Sequence, residues 1–86
     1  SERMVDHWIY FQNEVDMENY VSEVSENSFQ VLDKNKTDKT ENTYQLHLGR
    51  VDKVDCQSVN DYVLYLWKLA GIHNGVYDGW ECSIEK

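Results

Sequence analysis

The stretch from Val59 to Gly71, VNDYVLYLWKLAG, decides the fold, because only one period fits it. Val59, Tyr62, Val63, Leu66, Leu69 and Ala70 recur at three- and four-residue steps, the spacing that lines one side of an α-helix. Asp55 or Ser58 can cap its start, and Gly71 marks its end. What flanks this helix then sets the architecture. Residues 76–85 read as a closing strand with Trp80, Cys82 and Ile84 on one face. Tyr44, Leu46 and Leu48 alternate with Gln45 and His47 in a strand before the helix. The parity breaks after Gly49, since Val51 lies three residues beyond Leu48, and this predicts a bulge or the end of pairing.

The first half of the chain has the same form. HWIYFQN, residues 7–13, is rich in β-branched and aromatic residues and reads as a strand, with Ile9 and Phe11 on one face and Trp8, Tyr10 and Gln12 on the other. A helix over 16–26 follows from the steps between Met17, Tyr20, Val21 and Val24. Phe29, Val31 and, at the boundary, Asp33 alternate with Gln30 and Leu32 in a second strand, and the polar run from Asp33 to Asn42 reads as a loop or hairpin tip. The order is β-α-β-β-α-β. It predicts an α+β, ferredoxin-like sandwich in which a four-stranded antiparallel sheet carries both helices on one face, as a single domain over 1–86.

Composition narrows the function. A chain of 86 residues with 41% hydrophobic and 13% aromatic residues is too rich for disorder, even at a net charge of −8. It has no apolar run of the roughly 20 residues that cross a bilayer and no signal-peptide pattern. The charge is uneven: residues 1–33 carry eight acids and one base, 34–53 five bases and three acids, and 54–86 five acids and two bases. Nucleic acid would be repelled, so no direct nucleic-acid contact is expected and a basic protein partner fits better. Two cysteines outside any metal-binding spacing point to a reducing, cytoplasmic setting, with Cys56 and Cys82 as small buried side chains. Ser1 in place of an initiator Met suggests a tag remnant or an excised fragment.

Chemical motifs are sparse. The run from Asp33 to Asp38 begins like a calcium loop, but Asp38 stands where glycine is required and Tyr44 where glutamate is required. The sequon Asn35-Lys36-Thr37 lacks a secretory context. His7, His47 and His73 are scattered, so no metal, no cofactor and no catalytic residues are assigned. A Cys56–His73 nucleophile pair requires the two to meet in space, against the plainer reading of a core cysteine and a surface histidine. The acids Glu14, Asp16, Glu18, Glu23 and Glu26 of the first helix form either a solvated face or a docking surface for a basic protein. Trp8 and Tyr10, on the open face of the sheet, are candidate protein contacts.

The ending GVYDGWECS, residues 75–83, supplies a family resemblance. A leucine-rich helix, a short Gly/Asn turn and then Tyr77-Asp78-Gly79-Trp80 leading into a strand resembles the RraB family, bacterial regulators of ribonuclease E activity. The likeness extends more weakly to the first strand and helix and to the element order. It implies a ferredoxin-like fold and a non-enzymatic protein that binds the endonuclease and alters what it cleaves. Better-known members add an N-terminal helical segment and a strongly acidic C-terminal tail, so this chain corresponds to the domain alone. In the tetrapeptide, Asp78 and Gly79 suit a bulge and Trp80 is expected to anchor the last strand on the core. Two other function classes fit the residues: an immunity protein that neutralises a nuclease toxin, and a small-molecule-sensing or oligomeric structural module.

Overall fold

The computed structural model describes residues 2–36 and 44–82. Six elements follow in the expected order: β1 (Glu2–Phe11), α1 (Glu14–Ser25), β2 (Gln30–Lys36), β3 (Tyr44–Lys53), α2 (Cys56–Ile72) and β4 (Gly75–Cys82). The strands form one antiparallel sheet in the order β2-β3-β1-β4, so β1 is paired on both sides. This is the ferredoxin-like α+β arrangement. Alternation along β1 sends Val5, His7, Ile9 and Phe11 fully inward and leaves Trp8 and Tyr10 half-buried on the opposite face. Met17, Tyr20 and Val24 of α1 and Tyr62, Leu66, Leu69 and Ala70 of α2 complete the core with Leu46 and Leu48 of β3. The two helices are tied by one buried hydrogen bond, in which the Tyr20 hydroxyl donates to the Leu66 carbonyl at 3.0 Å. Burial raises the Tyr20 pKa, so the phenol keeps the proton that it donates.

The helix ends obey local chemistry. Asn13 caps α1, its side-chain oxygen accepting from the Asp16 N–H at 2.9 Å. For α2 the capping residue is Asp55, which accepts from both the N–H and the hydroxyl of Ser58, each at 3.0 Å. The Ser58 N–H holds the Asp55 carboxyl below its ordinary pKa. The helix runs past Gly71 to Ile72, and the reversal into β4 falls on Asn74, whose φ of 58° lies in the left-handed region that asparagine tolerates.

Three expectations from the sequence need correction. First, β1 begins at Glu2, well ahead of His7, because Val5 and His7 continue the inward row between the charged residues that obscured the alternation. Second, β3 pairs with β1 without interruption from Tyr44 to Lys53, so Val51 marks no bulge. Arg50 takes the inward position instead, and Val51 is exposed on the other face. The bulge of that hairpin lies in β2, where Leu32 is the extra residue between the Val31 and Asp33 pairs. Third, β2 continues through Lys36, so Lys34, Asn35 and Lys36 are strand and not loop. The rest of the expected hairpin tip, residues 37–42, lies outside the described residues, as does Ile84.

The packing ranks two substitutions. Leu66→Ala empties a fully buried site and is expected to cost about 2–5 kcal/mol. Asp55→Ala removes only a solvent-exposed cap and is expected to cost less. Urea unfolding of the two variants checks the order, and equal losses would contradict this account of the core.

Candidate protein-interaction surfaces

The structure separates the two halves of the sequence-predicted site. Helix α1, with Glu14, Asp16, Glu18, Glu23 and Glu26, lies on the helix-covered face of the sheet, whereas Trp8 and Tyr10 lie on the open one. They cannot form one continuous patch.

Several of the α1 acids already have partners. Asp16 accepts from the Asn13 side-chain amide at 2.8 Å, Glu18 is paired with Lys34 across to β2, and Glu23 is 3.0 Å from His73 Nε2 at the end of α2. These exposed pairs contribute little to stability, and a competing cation can replace the internal one. Glu14, Asp16 and Glu26 make no ion pair among the described residues.

On the open face, Trp8 stacks on His47 with ring centroids 4.8 Å apart and planes 10° apart. His47 Nε2 is 3.0 Å from Asp6 Oδ1, and the Tyr10 hydroxyl accepts from Gln45 Nε2 at 2.8 Å. The two aromatics are therefore held in fixed orientations by cross-strand neighbours, which limits the rotamer entropy they would lose on contact with a partner.

The tetrapeptide Tyr77-Asp78-Gly79-Trp80 divides its labour. Ile9 pairs with Tyr77 and Trp8 with Gly79, so Asp78 is the extra residue of a bulge. Gly79 sits at a φ of 153°, which side-chain-bearing residues rarely adopt. The Tyr77 hydroxyl meets His7 Nδ1 at 2.8 Å, while Phe29 and Tyr62 present their rings edge-on to the same imidazole. Tyr77 is thus the polar partner of the fully buried polar residue in the inward row, and burial raises its pKa too. Trp80 departs from expectation: it faces α2 beside Cys56, Val59 and Val63, but at 40% exposure it is no core anchor.

Other large apolar side chains are also left uncovered. Trp67 is 59% exposed, Ile72 71% and Val76 50%. Trp67 stands outside the stripe that defines α2 as a helix, and a tryptophan off the core face was a signal available in the sequence. By contrast Arg50, which the charge count placed in a basic run, is tied down. Its guanidinium lies 3.9 Å above the Phe29 ring, Nε donates to Asp52 at 2.6 Å and another nitrogen donates to the Asn27 carbonyl at 2.8 Å. The 320 Å³ hollow beside it, lined by Ser58, Asp61, Tyr62 and Tyr65, therefore offers a cation whose charge is already matched.

No catalytic arrangement emerges from these positions. Cys56 begins α2 and His73 caps its other end, so at 1.5 Å rise per residue the two are about 25 Å apart and cannot act as a pair. Cys56 is exposed and not a buried core residue, and Cys82 is half-buried. Among the described residues no three His, Cys, Asp or Glu side chains approach closely enough to hold a metal ion. No described helix is long and apolar enough to cross a membrane.

The described residues form a small α+β domain with charged and aromatic surfaces. The family profile described as regulator of ribonuclease activity B, RraB, matches residues 1–82, and the chain belongs to that family. No curated protein matches the sequence.

His7 supplies a pH prediction. Burial lowers its pKa from 6.5 to about 4, with Asp52 opposing the shift and Arg50 adding to it. The folded protein therefore keeps His7 neutral where the unfolded chain is protonated. Its stabilising effect is complete above pH 6.5 and is lost as pH falls from 6.5 towards 4. Between pH 7.5 and 5.5 this residue should remove about 1.4 kcal/mol. In His7→Phe that increment should vanish. Denaturant titrations at the two pH values measure the difference, and an unchanged pH dependence in the variant would refute the assignment.

Proposed function

We propose that this chain is a non-enzymatic regulator that binds a bacterial endoribonuclease of the ribonuclease E type in the cytoplasm and changes which transcripts it cleaves. The observation that carries this reading is the family match, which spans residues 1–82 of 86 and names regulation of ribonuclease activity. The net charge of −8 supports a protein contact over direct RNA binding, because the phosphate backbone and this surface share the same sign. Control then comes from masking or reshaping the enzyme, without a bond made or broken by the regulator.

In this reading the acids of α1 face a basic surface of the enzyme. Glu18 and Glu23 exchange Lys34 and His73 for cations of the partner, and Glu14 and Glu26 add attraction at the helix ends. Such contacts accelerate encounter more than they hold a complex together, and they weaken as salt is raised.

The test uses the purified host endoribonuclease and a short RNA substrate, with binding followed by calorimetry from low to high salt. The wild-type chain should bind and alter the cleavage pattern, and affinity should fall as salt rises. Glu14→Lys/Glu18→Lys/Glu26→Lys should bind at least about tenfold more weakly at low salt, with the gap closing at high salt. A triple variant that binds as wild type would remove α1 from the contact, and no binding by the wild-type chain at any salt concentration would sink the regulator reading.

A further inference from the structure

Ser58, Asp61, Tyr62 and Tyr65 recur at helical spacing on one side of α2, and with Asn27 and Arg50 they line a cleft of about 320 Å³ between that helix and the turn after α1. The walls are fixed. The Tyr65 hydroxyl accepts from Asn27 Nδ2 at 2.7 Å, and its ring stacks on Phe29 with the planes 16° apart. Tyr62 donates to the Lys53 carbonyl at 3.1 Å, and Arg50 is held over Phe29 by its bonds to Asp52 and the Asn27 carbonyl. Asp61 differs from these neighbours: it is exposed and has no hydrogen bond or ion pair among the described residues.

The charge of the cleft is therefore set by its own lining. Arg50 and Asp52 are paired at 2.6 Å, which leaves the Asp61 carboxylate as the unmatched charge. Two more acids stand nearby: Asp55, which accepts from Ser58, and Glu26, the chain neighbour of Asn27. Lys53 is placed by the strand register on the opposite, open face of the sheet. An anion would meet these three carboxylates and a cation that is already paired, so the cleft favours a cation.

Shape narrows the choice. Asp61 and Tyr65 are four residues apart on α2, where Cβ atoms lie about 5–6 Å apart, so one flat group can meet the carboxylate and the ring together. A guanidinium is planar, donates two parallel hydrogen bonds to a carboxylate and stacks on aromatic faces, as Arg50 does on Phe29. An ammonium has no flat face to stack. The cleft is also at the low end of the roughly 300–1,000 Å³ of sites that enclose a free ligand, and Asn27 and Asp61 at its border are exposed. It can hold the tip of a side chain presented by another surface.

We infer that the cleft between α2 and the turn after α1 receives an arginine side chain of a protein partner, with Asp61 pairing with the guanidinium and Tyr65 packing against its face. This deepens the regulator reading and rests on it only in taking the endoribonuclease as the source of that arginine.

The experiment has two arms. In the first, a blocked Gly-Gly-Arg-Gly-Gly peptide is titrated into the isotope-labelled chain, with the citrulline counterpart and inorganic phosphate as comparisons. The arginine peptide should shift the Asn27 side-chain amide and the backbone N–H resonances of Asp61 and Tyr65, while the neutral citrulline peptide and phosphate leave them in place. Asp61→Asn should weaken the arginine peptide about fivefold. No shifts with the arginine peptide, equal shifts with citrulline, the same shifts with phosphate, or shifts spread equally along α1 would each overturn the inference whatever the enzyme does. In the second arm, affinity for the intact endoribonuclease is measured for Asp61→Asn and Asp61→Lys, both of which should melt as wild type does because Asp61 is exposed and unpaired. The first should bind about fivefold more weakly and the second weaker still, since it brings a cation of its own into the cleft. Wild-type affinity in both variants overturns the proposal and leaves the regulator reading intact. Failure of the wild-type chain to bind the enzyme, with the arginine-peptide shifts present, keeps the cleft and removes the regulator reading.

Discussion

The inward row of β1 carries the rest of the architecture. A strand hydrogen-bonded on both sides can vary only in what its two faces present, and here one face must hold both helices. Val5, Ile9 and Phe11 meet that demand with apolar volume, while His7 meets it only because the strands and helix around it are arranged for it. Tyr77 satisfies one ring nitrogen, and the edges of Phe29 and Tyr62 close the surroundings. Nε2 has no hydrogen-bond partner among the described residues, and a buried polar atom in that position costs free energy. The neutral ring is the form that minimises the cost, which is why the imidazole resists protonation.

The edges of the sheet determine where contact with other molecules is available. Both edge strands are bulged, β2 at Leu32 and β4 at Asp78, and a bulge interrupts the regular row of donors and acceptors that another strand would need. Charged residues on β2 reinforce the effect. Apolar surface that lies off the sheet ladder is not blocked in this way. The outer side of α2 is such a surface, because α2 uses Tyr62, Leu66, Leu69 and Ala70 against the core and leaves Trp67 and Ile72 outside it.

Charge and apolar contact then take different roles. The acids of α1 are exposed, and Glu18 is partly neutralised by Lys34, which suits long-range attraction better than a tight bond. The open-face aromatics are set in place by His47 and Gln45, while Trp67 and Trp80 are 59% and 40% exposed. In the proposed complex with an endoribonuclease, charge steering sets the rate of encounter and apolar contact its lifetime.

The sequence by itself determined the element order, the inward parity of Ile9 and Phe11, the core stripe of α2 and the family signature in Tyr77-Asp78-Gly79-Trp80, because each depends on local spacing. It could not give the longer reach of β1, where His7 reads as polar until Tyr77 is brought beside it from 70 residues away. Nor could it say that Arg50 is an inward clamp: the basic count of its segment is a sum over neighbours in the chain, whereas Phe29, Asn27 and Asp52 are neighbours in space. The exposure of Trp67 could be suspected from its place off the stripe, but that of Trp80 could not, since strand parity put it on the covered face. Only the tertiary structure decided that α2 stops short of covering it, because coverage depends on where a helix lies across the sheet and not on which residues alternate along a strand.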